Sequence, residues 1–247
     1  MSFGLSRGRQ LDVAPGVVMI SDEELGPLPD DVVTNPDAGR LDPRAWFPLR
    51  AKDQSGNRPF EIEIGSGKGT FLLQHAPMTP ESDYLGIEWA GEFCIYAADR
   101  IRRTQLQNVR MLRTDATEFL RWRVPNSIVD VIHLYFSDPW PKTKHHKKRV
   151  VQDRFLADAW RVLKPGGELR VVTDHDDLWA WDREHFDRWC GGGPCPHHDG
   201  QAPAFAEKPF AKPDSAGDGE LVGTNFERKF RKEGRNFHST VLQKLAP

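Results

Sequence analysis

Apolar residues fall into short runs from residue 60 onward, separated by stretches with helical spacing. Residues 60–64, 84–87 and 109–112 read as strands. Residues 128–135 form a longer, almost wholly apolar run, as expected of a strand covered on both faces. Residues 168–173 make a fifth. Helices are predicted over 70–75, where Pro77 stops the pattern, and over 91–105 and 178–189. Over 152–163, Phe155, Leu156, Ala159, Trp160 and Leu163 share one stripe of an amphipathic helix. The Lys164-Pro165-Gly166-Gly167 that follows reads as a helix stop and turn. Strands alternating with helices predict an α/β fold, a mostly parallel sheet with helices on both faces. Two segments break the rhythm. Residues 1–58 carry Pro15, Pro27, Pro29, Pro36, Pro43 and Pro48 and read as an irregular arm or cap. Residues 190–220, rich in Gly and Pro, read as a loop insertion in a domain spanning 59–247, and 237–242 as a closing edge strand.

The chain has 247 residues, 38% of them hydrophobic, enough for one sizeable core. Its formal net charge of -2 neither supports nor excludes a nucleic-acid partner, because the location of positive charge decides that. The charge is uneven: acids are frequent over 12–42, whereas 142–154 and 228–235 are basic. Arg7 and Arg9 could reach a polyanion or belong to a solvated end. Three cysteines, Cys94, Cys190 and Cys195, do not make a disulfide framework and fit a reducing compartment. No run approaches the roughly 18 apolar residues of a membrane span, and the N-terminus lacks the order of a secretion signal. A cytoplasmic protein without membrane contact is expected. Cys190, Cys195, His197 and His198 are zinc-ligand types, but the cysteine spacing lies outside the usual two to four, so no metal is expected.

Candidate chemistry collects where strands end. Gly65, Gly67 and Gly69 sit between the first strand and its helix, where glycine permits a tight turn and close approach of a ligand. Their spacing differs from the dinucleotide fingerprint G-x-G-x-x-G, and the turn lacks the Gly-Lys-Ser/Thr ending of a triphosphate loop. Glu63, just before the turn, would repel a pyrophosphate and suit a cationic ligand. Glu88 ends the second strand, where an acid can grip two ribose hydroxyls. Asp115 follows the third and is positioned either for an adenine edge or as a helix N-cap with Glu118 in capping-box position.

After the fourth strand comes Ser137-Asp138-Pro139-Trp140-Pro141-Lys142. Together with Glu63-Ile64-Gly65, Gly86-Ile87-Glu88, Asp115-Ala116, His146-Lys147-Lys148-Arg149, Thr173-Asp174 and Thr224-Asn225-Phe226-Glu227, it resembles the bacterial tRNA (guanine-N7)-methyltransferase family over residues 60 to about 235. The resemblance implies a Rossmann-like class I methyltransferase fold, S-adenosylmethionine as cofactor, and the variable-loop guanosine of tRNA as substrate. It assigns Glu63, Gly65, Gly67, Glu88, Asp115 and Asp138 to the cofactor pocket, with Asp138 also catalytic. It gives Lys142, Asp174, Thr224 and Glu227 to the RNA nucleotide. Guanine N1–H and its amino group are donors, so carboxylates such as Asp174 and Glu227 suit them, and Lys142 could meet a phosphate or O6. Trp140 could stack on a base. The basic run from Lys142 to Arg149 and a second from Arg228 to Arg235 would contact the RNA backbone.

Ser66 stands where the family often has an aromatic, Asn225 where lysine is frequent, and Arg228-Lys229 where Gln-Arg is usual. Other readings are a class I methyltransferase acting on another RNA, a small molecule or a protein, a nicotinamide-dependent oxidoreductase, and a noncatalytic RNA-binding module. Glu63 and the glycine spacing count against the oxidoreductase. The residue pattern leaves monomer and homodimer open.

Overall fold

The computed structural model describes residues 5, 10–14, 18–53, 56–193, 195–196 and 203–246. In chain order the elements are β1 (Met19–Ser21), α1 (Asp22–Leu25), β2 (Phe60–Ile64), α2 (Thr70–His75), β3 (Asp83–Ile87) and α3 (Gly91–Thr104). Then follow β4 (Val109–Arg113), α4 (Ala116–Trp122), β5 (Val129–Tyr135), α5 (Asp153–Val162), β6 (Leu163–Thr173) and α6 (Asp176–Trp189). The chain closes with β7 (Phe205–Lys208), α7 (Asn225–Lys232) and β8 (His238–Lys244).

The eight strands form one sheet in the order β1-β4-β3-β2-β5-β6-β8-β7. All neighbours are parallel except β8, which runs antiparallel to both β6 and β7. Strand alternation sends successive side chains to opposite faces. Leu85 and Ile87 join Phe119, Leu120, Phe155, Leu156 and Phe186 from α4, α5 and α6. Tyr84 and Met111 join Phe71, Leu72, Ala97 and Ile101 from α2 and α3 on the other side. Both faces are therefore covered, as the apolar runs predict. β2 pairs with β3 on one side and β5 on the other, so the chain reverses direction across the sheet there. Open α/β sheets bind ligands at that switch point, beyond the strand C-termini.

Three features of the sheet depart from the sequence expectation. Met19–Ser21 of the arm pairs with β4 and extends one edge of the sheet. β8 is not an edge strand; Phe205–Lys208, inside the segment read as a loop, takes the outer position instead. Short segments with mixed polarity carry no periodic signal, and only a pairing partner makes them strands. Finally, α5 passes directly into β6. Leu163 pairs with Val129 and Glu168 with Val131, so the predicted turn residues 164–167 bulge out within the strand. Gly166 supplies the bulge's φ of +79°. Among the described residues no helix is long and apolar enough to cross a membrane.

Candidate active site

The C-terminal ends of β2, β3, β4 and β5 open into a cavity of about 1170 Å³. Its lining includes Glu63, Gly65, Gly67, Glu88, Asp115, Asp138 and Thr224. The tertiary fold thus brings together residues from five separated segments.

Glu63 is the penultimate residue of β2 and is only 4% exposed, with no hydrogen-bond partner for Oε2. Burial, reinforced by the nearby Glu88 charge and opposed by Ser66, pushes its carboxyl up to about 8. An unpartnered buried carboxylate facing a cavity calls for a cationic or donor group from a ligand. Behind it, Gly65 and Gly67 hold φ of +73° and +53°, a region that glycine alone enters without strain. Glu88 is half-buried, and its two oxygens accept from the backbone N–H of Gly67 and Ala90, each at 2.8 Å. Burial raises its carboxyl, the Asp138 charge acts the same way, and the two backbone bonds oppose them. The Glu88 grip also fixes the glycine turn against the end of β3. Gly86 makes this possible: a Cβ there would lie 2.5 Å from Leu72 and 2.7 Å from the Ser66 hydroxyl. The buried Ser66 is the small residue that fits this contact, and its hydroxyl donates to the Glu63 carbonyl at 3.2 Å.

Asp115 takes the helix-cap role weighed for it: Oδ1 accepts from Thr117 N at 2.8 Å and Glu118 N at 3.2 Å. It is exposed and also lines the cavity, so capping and facing a ligand coexist. Asp138 also lines the cavity, is exposed, and makes no hydrogen bond or ion pair among the described residues. Its backbone surroundings are strained. Phe136 has φ +56° and Trp140 φ +42°, each costing about 1–3 kcal/mol for a non-glycine residue. The Trp140 ring is held by His145, 5.7 Å away edge-on, and by the Lys148 ammonium at 4.6 Å.

The residues expected to hold a nucleotide are less uniform. Thr224 lines the cavity and caps α7, accepting from Glu227 N at 3.1 Å. Lys142, Asp174 and Glu227 are not among the lining residues. Lys142 is exposed on the basic run. The Asp174 carboxylate is bound by Arg235 at 2.5 Å. Glu227 is fully buried, accepting from the N–H groups of Leu221, Val222 and Gly223 and from Arg231. Asn225 donates to the Thr70 hydroxyl at 2.8 Å and ties α7 to the start of α2.

The two basic runs also differ. No acid pairs with Lys142, Lys144, Lys147 or Lys148 among the described residues, and Lys147 and Lys148 line the cavity mouth. Arg149 also lines the cavity, but it is buried and its charge is paired. In the second run Arg228 pairs with Glu220, Arg231 with Glu227 and Arg235 with Asp174, so most of its charge is neutralised within the protein. Sequence reasoning missed Trp89, which is 70% exposed and lines the cavity beside Glu88. Its only sequence signal is a large aromatic outside any apolar period, directly after a strand-end acid. The zinc-ligand types divide: Cys190 and Cys195 are free thiols, whereas His197 and His198 lie outside the described residues.

Comparison with known proteins agrees with this architecture. A family profile described as putative methyltransferase matches residues 57–239. The tRNA (guanine-N(7)-)-methyltransferase of Enterococcus faecalis is 37% identical over 147 residues, covering 60% of this chain and 68% of that protein. Its counterpart from Streptococcus pyogenes serotype M6 is 33% identical over 169 residues, covering 68% and 76%. Among solved structures, the aminoglycoside resistance methyltransferase NpmB1 superposes with a TM-score of 0.51 at 19% identity, over 76% of this chain and 88% of its own. The last likeness is one of fold. With the matched region spanning every strand end that lines the cavity, the chain belongs to the tRNA (guanine-N7)-methyltransferase family.

Proposed function

We propose that this protein transfers the methyl group of S-adenosylmethionine to N7 of a guanosine in tRNA. One observation carries the reading. The switch-point cavity is lined by a buried, unpartnered Glu63 oxygen, the braced Glu88, Asp138 and unpaired lysines. The first pair suits a nucleoside with a cationic amino-acid tail, and the lysines suit a polyanion.

When bound, S-adenosylmethionine supplies an electrophilic methyl group on a sulfonium. Glu63 would accept from its ammonium, Glu88 from its ribose hydroxyls, and the uncapping oxygen of Asp115 from its adenine amino group. Guanine N7 carries a lone pair in the ring plane, so its attack needs no prior loss of a proton. The N7–carbon bond forms as the sulfur–carbon bond breaks, and the electron pair of the broken bond stays on sulfur. The protein's task is therefore alignment and charge, an orientation effect worth several kcal/mol. Asp138 contributes a carboxylate where positive charge develops on the purine.

On the substrate side, Thr224 shapes the wall and Lys142 contacts phosphate from the exposed run. Asp174 accepts from the guanine edge once Arg235 releases it, and an RNA phosphate is the natural competitor for that arginine. Glu227 is committed to three backbone amides, so its role is to hold the 221–224 turn rather than to touch the base. The deciding experiment is incubation with bulk tRNA and S-adenosylmethionine, followed by nucleoside analysis of the digested RNA. N7-methylguanosine is expected. N1- or N2-methylguanosine would overturn the target atom, and unmethylated RNA the substrate class.

A further inference from the structure

The basic run from Lys142 ends in a residue that behaves unlike the rest of it. Arg149 is 2% exposed. Its Nε donates to the Pro139 carbonyl at 2.9 Å, its Nη1 lies 3.4 Å from the Asp177 carbonyl, and its Nη2 is paired with the Asp177 carboxylate. The guanidinium lies 5.4 Å from the Trp181 ring centroid. A side chain so enclosed cannot bind an RNA phosphate without unpacking, so a backbone-contact role does not account for it.

What it grips is the Pro139–Trp140 peptide, one residue beyond Asp138. That turn is bracketed by two residues in left-handed backbone geometry, Phe136 and Trp140. Trp140 also precedes Pro141, a position that ordinarily confines a residue to extended backbone. Such a turn persists only where its surroundings hold it. On the Phe136 side, the hold is the bond from Phe136 N to the Val172 carbonyl at 2.8 Å and ring packing against Phe230 and Phe237. On the Trp140 side, the hold on the main chain is Arg149. Its planar fork reaches two anchors at once: the turn, through Pro139, and the start of α6, through Asp177.

We infer that Arg149 is a positioning residue for methyl transfer, clamping the Asp138–Pro139–Trp140 turn to the first turn of α6 so that the Asp138 carboxylate keeps its place on the cavity wall. The inference rests on the methyl-transfer reading of that cavity. A lysine at 149 keeps the charge, but its three N–H donors radiate from a single nitrogen and cannot span Pro139 and Asp177 as the planar fork does, so it loosens the turn without removing the buried cation.

The test uses the full chain with Arg149→Lys and, as a variant that leaves the buried side chain in place, Asp177→Ala. Thermal unfolding, affinities for S-adenosylmethionine and tRNA, single-turnover methyl transfer and amide hydrogen exchange over residues 136–142 are measured for each. Arg149→Lys is expected to bind both ligands within about twofold of wild type. Its single-turnover rate should fall on the order of 10–100-fold, as expected for small misplacements of reacting groups, with faster exchange over 136–142. Asp177→Ala should show the same pattern several-fold more weakly, and it carries the test if Arg149→Lys does not fold. An unchanged rate in the folded variants would overturn the clamp. So would a loss of tRNA affinity that accounts for the whole loss of kcat/KM, because Arg149 would then be an RNA contact. Absence of methyl transfer by the wild type would defeat the functional reading, whereas unchanged exchange over 136–142 would defeat the clamp itself.

Discussion

Burial leaves Glu63 holding a proton at neutral pH, because its carboxyl is pushed up to about 8. A cationic ligand beside it reverses that preference by favouring the ionised form. Binding of S-adenosylmethionine at pH 7 should therefore release close to one proton. Calorimetric titration in buffers of different ionisation enthalpy measures the number directly. With Glu63→Gln the buffer dependence should vanish and affinity should weaken, and a wild-type binding heat independent of buffer would refute the pairing. Asp138 differs: it is exposed, and no hydrogen bond or ion pair holds its carboxylate among the described residues. Asp138→Asn should fold and bind both ligands normally yet lose on the order of 10²-fold in single-turnover transfer. A rate within a factor of three of wild type would reduce Asp138 to a turn residue.

Among the elements, α7 gains most of its definition from one side chain. Glu227 accepts from three successive backbone amides at 2.5, 2.9 and 2.9 Å, while Thr224 caps the helix from the other direction. The pattern is a reciprocal brace between a helix and the loop leading into it. Glu227→Gln turns one acceptor into a donor facing N–H groups, so it should destabilise the fold by about 1–3 kcal/mol, read by denaturant unfolding. If Glu227 instead recognised guanine, that variant would keep its stability and change only KM for tRNA. The Thr-x-Phe-Glu spacing was visible in the sequence, but its meaning was not. Residues 224 and 227 are adjacent on one helical turn whether they face a base or a backbone loop, and only the position of 221–223 separates the two.

For the whole molecule, the distribution of unpaired charge is expected to govern RNA binding. The lysines of 142–148 are free of acids among the described residues, whereas Arg228 and Arg231 are neutralised by Glu220 and Glu227. Replacing Lys147 and Lys148 together by glutamine should reduce the slope of log affinity for tRNA against log salt by about 1.5. Replacing Arg228 should barely change it, and equal effects would contradict the asymmetry. Stability should also depend on pH. Asp182 is 1% exposed, with neither oxygen hydrogen-bonded. Burial raises its carboxyl from 3.8 to about 8, with Arg149 opposing. Such a group stays protonated in the folded state while the unfolded chain releases the proton. Stability therefore falls as pH rises from about 4 to about 8, the reverse of an ion-paired carboxylate. Glu63 acts in the same direction from 4.5 upward. Asp182→Asn should raise Tm at pH 8 relative to wild type and narrow the gap between pH 5 and pH 8; a wild-type-like pH profile would exclude the buried proton.

Sequence alone determined the parallel α/β core and which acids stand at its strand ends. Strand alternation, helical stripes and glycine at a strand–helix turn are local signals, so 60–64, 83–87 and 129–135 were readable within a residue or two. The strand-end acids Glu63, Glu88, Asp115 and Asp138 were readable for the same reason, and the cavity gathers all four. Edge strands and charge pairing were decided only by the tertiary structure. β1 and β7 are strands because β4 and β8 offer them open hydrogen bonds. Arg149 and Arg231 carry the same charge as Lys147, yet one lies buried against Pro139 and Asp177 and the other is paired with Glu227, while Lys147 remains unpaired. Formal charge belongs to the residue; whether that charge is available to an RNA depends on which distant carboxylate or carbonyl the fold has brought beside it.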